Sequence, residues 1–102
     1  MSAPVGGTLR LALAMRLERN HDLGIDEAKQ RVDRIRSGIE EQYGLSGSWS
    51  GDTLKFIGAS VTGHIMVYEQ RVLVEVRLGF AMMLLEGPIK SHISAAMDEH
   101  LV

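Results

Sequence analysis

The four histidines are the side chains with which this sequence could most readily perform acid–base or metal chemistry, because imidazole titrates near neutral pH. His21 is followed by Asp22, and a carboxylate beside a histidine can orient it as a general base. No serine or threonine has a defined spacing to this pair, and a histidine just before a helix more commonly hydrogen-bonds loop backbone. His64 falls on a strand position that faces solvent. We therefore expect no catalytic residues and no enzyme.

A metal site needs several ligands at a suitable spacing, and the other two histidines do not provide it. His92 and His100 are eight residues apart, so on a helix they point about 80° apart and lie two turns distant, unlike the i,i+4 pair of zinc enzymes. The chain has no cysteine, which excludes disulfides, thiolate zinc sites and a cysteine nucleophile. We expect neither a metal nor a cofactor.

Net charge and hydropathy argue against nucleic-acid binding and against a transmembrane segment. Eleven Lys and Arg against thirteen Asp and Glu give a net charge of -2, whereas nucleic-acid binders usually present a basic face. The longest uninterrupted apolar run, Phe80–Leu85, has six residues, while a transmembrane helix needs about 20. The N-terminal segment lacks a signal-peptide pattern. We therefore expect a cytoplasmic protein with no nucleic-acid partner and no transmembrane segment.

Hydrophobic periodicity predicts the elements that would position these side chains. Apolar residues at every second position of residues 9–17 indicate a half-buried strand. From Ile25 to Ile39 the spacing changes to three and four residues, which indicates an amphipathic helix ended by Gly44. Pro88 suits the first turn of a second helix, whose apolar stripe begins at Ile89. The residues between the two helices are predicted to form strands.

Residues 46–79 are predicted to form four short strands joined by two-residue turns. The turns and the residues that they bring opposite each other are Gly51-Asp52 with Trp49 and Leu54, Gly58-Ala59 with Phe56 and Val61, and Glu69-Gln70 with Val67 and Val72. Gly51 and Gly58 suit type II′ turns, which need a positive φ at the first central residue. Glu69-Gln70 has no glycine, so we expect a longer or distorted loop there.

In this register the apolar residues of the four strands share one face of the sheet. That face carries Trp49, Leu54, Phe56, Val61, Gly63, Ile65, Val67, Val72, Val74, Val76 and Leu78. Two helices laid on it give a two-layer α+β domain with an antiparallel sheet, made of the meander plus the N-terminal strand, in the order β-α-β-β-β-β-α. The sequence therefore predicts one domain over residues 1–102, with residues 1–7 as a flexible tail.

The second face of the predicted sheet and the apolar run before the second helix form the candidate interaction surface. The apolar residues on that face are Ala12, Ala14, Ile57, Met66, Tyr68 and Leu73. They lie among charged residues, and an apolar patch rimmed by charge is typical of a partner or oligomer surface, with a homodimer as the simplest case. Methionines serve as core filler or on adaptable binding surfaces. The predicted interaction surface consists of Ile57, Met66, Tyr68, Leu73, Phe80, Met82 and Met83.

Several turn and core motifs follow one another in a fixed order. They are the run His21-Asp22-Leu23-Gly24-Ile25-Asp26-Glu27-Ala28, Trp49 with Gly51-Asp52, Leu54-x-Phe56, Gly63-x-Ile65, the strand Val72-x-Val74-x-Val76-x-Leu78-Gly79-Phe80 and the helix start Pro88-Ile89. Together they resemble the polyhydroxyalkanoic acid system protein family over about residues 13–101. The first strand extends at its N-terminal end beyond what we expect of that family.

The resemblance implies a context rather than a reaction. It implies a small bacterial protein encoded among genes for making, storing and using polyhydroxyalkanoate, with a place at the surface of the storage granule, and it carries over no catalytic residue. We therefore expect a non-enzymatic accessory protein that associates with granules or granule-surface proteins. The alternatives are a domain that binds a hydroxyacyl or fatty-acyl chain between the sheet and the C-terminal helix, and a homodimeric structural protein without a ligand.

Overall fold

Five antiparallel strands and two α-helices make up the computed structural model, which describes residues 12–101. The strands are β1 (Ala12–Asn20), β2 (Ser46–Ser50), β3 (Thr53–Ile57), β4 (Val61–Val67) and β5 (Arg71–Leu78), the helices are α1 (Gly24–Tyr43) and α2 (Glu86–His100), and a 3₁₀ segment (Phe80–Leu85) joins β5 to α2. The order in the sheet is β1-β5-β4-β3-β2. The predicted α+β class and element order are confirmed, while the tail expected over residues 1–7 lies outside the described residues.

Helix α1 forms because its apolar residues recur at the period of an α-helix. The residues that it buries in the core are Ala28, Val32, Ile35 and Ile39. Gly44 ends the helix in the left-handed conformation, with a φ of 65°, and its N–H donates to the Glu40 carbonyl. A residue with a Cβ would be strained at this position, so glycine fixes the end of the helix where the sequence predicts it.

Helix α2 lies beside α1 and reaches β1. Ile89, Ile93 and Met97 are buried along one stripe, since residues four apart share a face of a helix, and Leu101 extends the stripe. The two helices therefore cover the same side of the sheet. The opposite side is called the outer face below.

The hairpins β2–β3 and β4–β5 have the predicted registers. Trp49 pairs with Leu54, and Val67 pairs with Val72. Gly51 has a φ of 60°, and no non-glycine residue of the described range has a positive φ, which is the pattern of a type II′ turn.

The turn at Glu69-Gln70 is shorter than one of the two expectations for it, a longer or a distorted loop. It is a two-residue turn, in which the Tyr68 N–H donates to the Arg71 carbonyl at 2.8 Å. The expectation of a longer loop is therefore wrong, while neither Glu69 nor Gln70 has a positive φ, so the turn is not of type I′ or II′. The His21 N–H contacts the same turn by donating to the Gln70 carbonyl at 2.9 Å.

The turn between β3 and β4 lies one residue beyond the predicted position. Phe56 pairs with Gly63 rather than with Val61. The two-residue turn begins after Gly58, whose N–H donates to the Val61 carbonyl at 2.8 Å. A turn displaced by one residue changes the partner by two, so every side chain keeps its face. Gly58 has no positive φ; a Cβ there would overlap the side chain of Leu45, so glycine is needed for space rather than for the turn.

Strand β1 contains a register shift that breaks its predicted alternation. Ala12 pairs with Leu78, and after the shift between Leu13 and Met15 the partner of Met15 is Val76. The side chains of Ala12 and Ala14, which the sequence places on the outer face, lie outside those that the structure describes. Residues 9–11 lie outside the described residues.

The main core lies between the helices and the sheet. The buried strand residues on this side are Met15, Leu54, Phe56, Val61, Ile65, Val67, Val72, Val74, Val76 and Leu78. Trp49 is partly buried and packs against them at the β2 edge. The predicted apolar face is confirmed, so the remaining apolar strand residues belong to the outer face.

Candidate interaction surfaces

A row of charged and polar side chains crosses the middle of the outer face. Arg16, Glu75, His64 and Lys55 are successive cross-strand neighbours on β1, β5, β4 and β3. The Glu75 carboxylate accepts from His64 Nε2 at 2.9 Å and lies 3.4 Å from Arg16 Nε. This charged row separates the two ends of the outer face.

At one end of the outer face, three of the predicted surface residues come together. Met66 pairs with Leu73, and the Tyr68 hydroxyl donates to Met66 Sδ at 3.7 Å. The guanidinium of Arg71 lies 4.7 Å from the centre of the Tyr68 ring. Leu73 is only 7% exposed, because Met66 and Glu18 flank it on the neighbouring strands. This end therefore offers Tyr68 and part of Met66 to solvent.

Ile57 lies at the other end of the outer face and is 64% exposed. It pairs with Thr62, while Lys55 occupies the next outward position on the same strand. The charged row thus stands between Ile57 and Met66. The structure places both residues on the predicted face but does not join them into one patch.

The 3₁₀ segment carries a second group of apolar side chains. Met82 is partly buried and packs against the core, whereas Met83 is 40%, Leu84 92% and Leu85 44% exposed. We call Met83, Leu84 and Leu85 the apolar tip. Of these three residues only Met83 belongs to the predicted surface.

A signal for Leu84 is present in the sequence. The stripe of α2, followed backwards in steps of four from Ile93 and Ile89, reaches Leu85 and leaves Leu84 one position off the stripe. One residue corresponds to about 100° around a helix, so that position lies outside the row that α2 buries. Leu85 lies on the stripe, so its exposure carries no such signal.

Backbone hydrogen bonds hold the 3₁₀ segment at both ends. The Gly79 N–H donates to the Ser60 carbonyl at 2.8 Å, and the Met82 N–H donates to the Gly79 carbonyl at 2.9 Å. At the other end, the Glu86 N–H donates to the Met83 carbonyl as α2 begins. The apolar tip is therefore presented by a bonded element that continues directly into a helix.

The fold from β1 to α2 coincides with the extent of a known protein family. The family model described as Putative polyhydroxyalkanoic acid system protein matches residues 15–101. This chain belongs to that family. The resemblance seen in the sequence is thereby confirmed, and the match contains both the outer face from Met15 onward and the apolar tip. No curated protein and no solved structure matches the chain.

In this member of the polyhydroxyalkanoic acid system family, His21 is a structural residue. It is buried, and its Nδ1 accepts from the Leu23 N–H at 3.1 Å. Nε2 must then carry the proton, which it donates to the Tyr68 carbonyl at 3.0 Å. Both ring nitrogens are bonded to backbone, as expected for a histidine before a helix, so neither is available as a general base.

The charged residues of α1 do more than face solvent. Asp33 accepts hydrogen bonds from Arg36 Nε at 2.7 Å and from the Trp49 indole at 2.8 Å. Glu40 bonds Arg36 with one carboxylate oxygen and the Gly47 N–H with the other, at 2.9 and 2.8 Å. The pairs of Arg36 with Asp33 and Glu40 lie within α1, whereas the bonds from Trp49 and Gly47 reach β2. This network, the α1–β2 clamp, joins the hairpin to the helix.

The hydrogen bonds of the clamp shift the pKa of Asp33 and that of Arg36. The hydrogen bond from Arg36 and then that from Trp49 lower the pKa of Asp33, with burial opposing them. The same bond from Asp33, and a second from Glu40, raise the pKa of Arg36. Asp33 is therefore held as a carboxylate, with its oxygens committed to the fold.

A small apolar cavity lies between the helices and the sheet. It has a volume of about 30 Å³ and is lined by residues of α1, β3, β4, β5 and α2. Tyr43 stands at its wall, where burial raises the pKa of the phenol and the ring packs edge-on against His92 at 5.7 Å. Pockets for small molecules usually measure about 300 Å³ or more. A hydroxyacyl or fatty-acyl chain does not fit the cavity in this conformation.

Among the residues that the structure describes, there is neither a group of metal ligands nor a membrane-spanning helix. No group of three or more His, Asp or Glu side chains in that range is arranged to hold a metal ion. His92 instead packs against Tyr43, and His100 lies 4.0 Å from Glu99. Neither helix described here is long and apolar enough to cross a membrane.

Proposed function

We propose that this protein is a non-enzymatic accessory protein of the polyhydroxyalkanoate storage system, which associates in the bacterial cytoplasm with storage granules or with proteins on their surface. The observation that carries the proposal is the family match over residues 15–101. Exposed apolar side chains support it, because such groups favour contact with an apolar phase or a partner.

The proposed contact surface includes the residues predicted from the sequence, and these residues differ in how far their side chains are exposed. The predicted set is Ile57, Met66, Tyr68, Leu73, Phe80, Met82 and Met83. Ile57, Tyr68 and Met83 are exposed, whereas Leu73 is buried and Met82 packs against the core. Leu84 and Leu85 join the set on the strength of their exposure.

Two observations make the alternative functions less favourable. The two ring nitrogens of His21 are bonded to backbone, so this histidine lacks a free basic atom. The cavity of about 30 Å³ is too small for an acyl chain. A homodimer remains compatible with exposed apolar residues, and it is an outcome of the experiment below.

Co-sedimentation tests the proposal. The purified full chain is mixed with native polyhydroxyalkanoate granules, with granules stripped of protein, or with buffer alone, and its mass in solution is measured by light scattering. We expect the protein to sediment with native granules and to remain in the supernatant without them. Sedimentation with native but not stripped granules would identify a granule protein as the partner. A dimer that sediments with neither preparation would contradict granule association.

A further inference from the structure

The apolar tip is the largest concentration of exposed apolar side chains among those that the structure describes. Five large apolar residues are exposed, and three of them, Met83, Leu84 and Leu85, are consecutive. The other two, Ile57 and Tyr68, lie on either side of the charged row of the outer face. The tip is therefore the place where an apolar surface could contact three neighbouring apolar side chains without covering the charged row.

The tip is held in this exposed arrangement rather than left on an open loop. The segment is bonded to the β3–β4 turn through Gly79 and Ser60, and its last residues lead into α2 through the bond between Glu86 and Met83. Met82 packs inward, whereas Met83, Leu84 and Leu85 are exposed. Little conformational freedom remains to be lost when the tip meets a surface.

Charge around the tip favours an uncharged surface over an anionic one. Between Gly79 and Ile89 the sequence has a single ionisable side chain, Glu86, and it is acidic. Segments that bind anionic lipid surfaces carry clusters of Lys and Arg beside their apolar residues. The tip has no such cluster in its own segment.

The size of the tip favours insertion into an apolar phase over a protein interface. A stable protein–protein interface covers roughly 800 Å² on each partner. Three side chains, of which only Leu84 is almost fully exposed, fall well short of that area. A few projecting apolar side chains can nevertheless be fully buried by a phase that closes around them.

We propose that the apolar tip inserts directly into the polyester of the granule, with Leu84 as the central anchor and no granule protein between them. This inference rests on the proposed function and narrows its contact surface to Met83, Leu84 and Leu85. The ligand is the uncharged ester polymer itself, whose chain can surround the leucine side chain.

Protein-free particles of amorphous poly(3-hydroxybutyrate) provide the test, with vesicles of phosphatidylcholine and phosphatidylglycerol as the lipid comparison. The variants are Leu84→Asp, the conservative Leu84→Met, and Ala95→Asp as a control that introduces the same charge at an exposed site of α2 outside the proposed contact surface. Circular dichroism and the thermal midpoint of each variant report whether it is folded. Since Leu84 is 92% exposed, its substitution leaves the fold intact.

We expect the wild-type protein to bind the polyester particles more tightly than the vesicles. Leu84→Asp should weaken binding to the particles roughly 10- to 100-fold, while Leu84→Met and Ala95→Asp change it less than about threefold. Unchanged binding of Leu84→Asp, or equal binding of the wild-type protein to vesicles, would overturn the inference.

The outcome on native granules separates this inference from the proposed function. If the wild-type protein sediments with native granules but not with bare particles, the proposed function stands and direct insertion is wrong. If it sediments with neither, both are wrong. If it binds both and only Leu84→Asp loses the particles, both are supported.

Discussion

The outer face and the apolar tip each carry a leucine, but Leu73 on the outer face is buried and Leu84 at the tip is exposed. Leu73 is 7% exposed although both described helices lie on the other side of the sheet, because Met66 and Glu18 flank it on neighbouring strands. Leu84 is 92% exposed, because the 3₁₀ segment is not flanked by strands in this way. In a sheet, neighbouring strands bury part of the apolar side chains. In a connecting segment, apolar side chains are buried only where another element packs over them.

The largest expected effect separates these two leucines by stability. Leu73→Asp should lower the free energy of unfolding by about 3–4 kcal/mol, because it places a carboxylate in a buried site beside Glu18. Leu84→Asp should change it by less than about 0.5 kcal/mol. Urea unfolding of both variants measures the difference. Equal losses would show that the two sites are not distinct in solution.

The next effect concerns the turn that carries Tyr68 at one end of the outer face. His21→Ala removes the acceptor of the Leu23 N–H and the donor to the Tyr68 carbonyl in a buried site, so it should cost about 2–3 kcal/mol. His64→Ala, which removes a partly exposed bond to Glu75, should cost less than about 1 kcal/mol.

Urea unfolding gives both values, and amide exchange locates the change produced by His21→Ala. Exchange should accelerate at Leu23 and around Gln70 before it accelerates in the core strands. A uniform acceleration across the sheet would contradict a local role for His21.

Periodicity predicts most of this fold because the core follows it directly. The three-and-four spacing from Ile25 to Ile39 gives α1, and alternation through β2 to β5 gives the buried face even where one turn is displaced. Displacing a turn by one residue preserves the faces, which is why the error at Gly58 did not spread.

Contacts between distant residues account for what the sequence does not reveal. The glycine at position 58 is explained by Leu45, which precedes β2, and the turn at Glu69-Gln70 accepts a hydrogen bond from His21, which follows β1. The candidate surface shows the same limit. The alternation of apolar residues places Leu73 on the outer face. Its burial depends on its cross-strand neighbours, which the alternation of a single strand does not identify.

The Ile57 end of the outer face is expected to be sensitive to crowding at Gly58. Gly58→Ala would push its Cβ against Leu45, and because that side chain can shift, the cost should be about 1 kcal/mol. Gly38→Ala is the matched control: it has open space around it in α1 and should stabilise by about 0.5–1 kcal/mol. Thermal midpoints that move in opposite directions would support the packing role, and a stabilising Gly58→Ala would contradict it.

The smallest expected effect comes from the α1–β2 clamp, whose charged side chains are partly exposed and hydrogen-bonded to one another and to β2. Since the folded state lowers the pKa of Asp33, the ionised carboxylate stabilises the fold above its ordinary pKa, near pH 4, and this contribution is lost as the pH falls through the lower folded pKa. Solvent screening limits it to about 0.5–1 kcal/mol, because the side chain is 45% exposed. The stability difference between wild type and Asp33→Asn should therefore be present at pH 6 and shrink toward about pH 2.5. A difference that stays constant over this range would mean that the Asp33 charge contributes nothing and that the clamp acts through hydrogen-bond geometry alone.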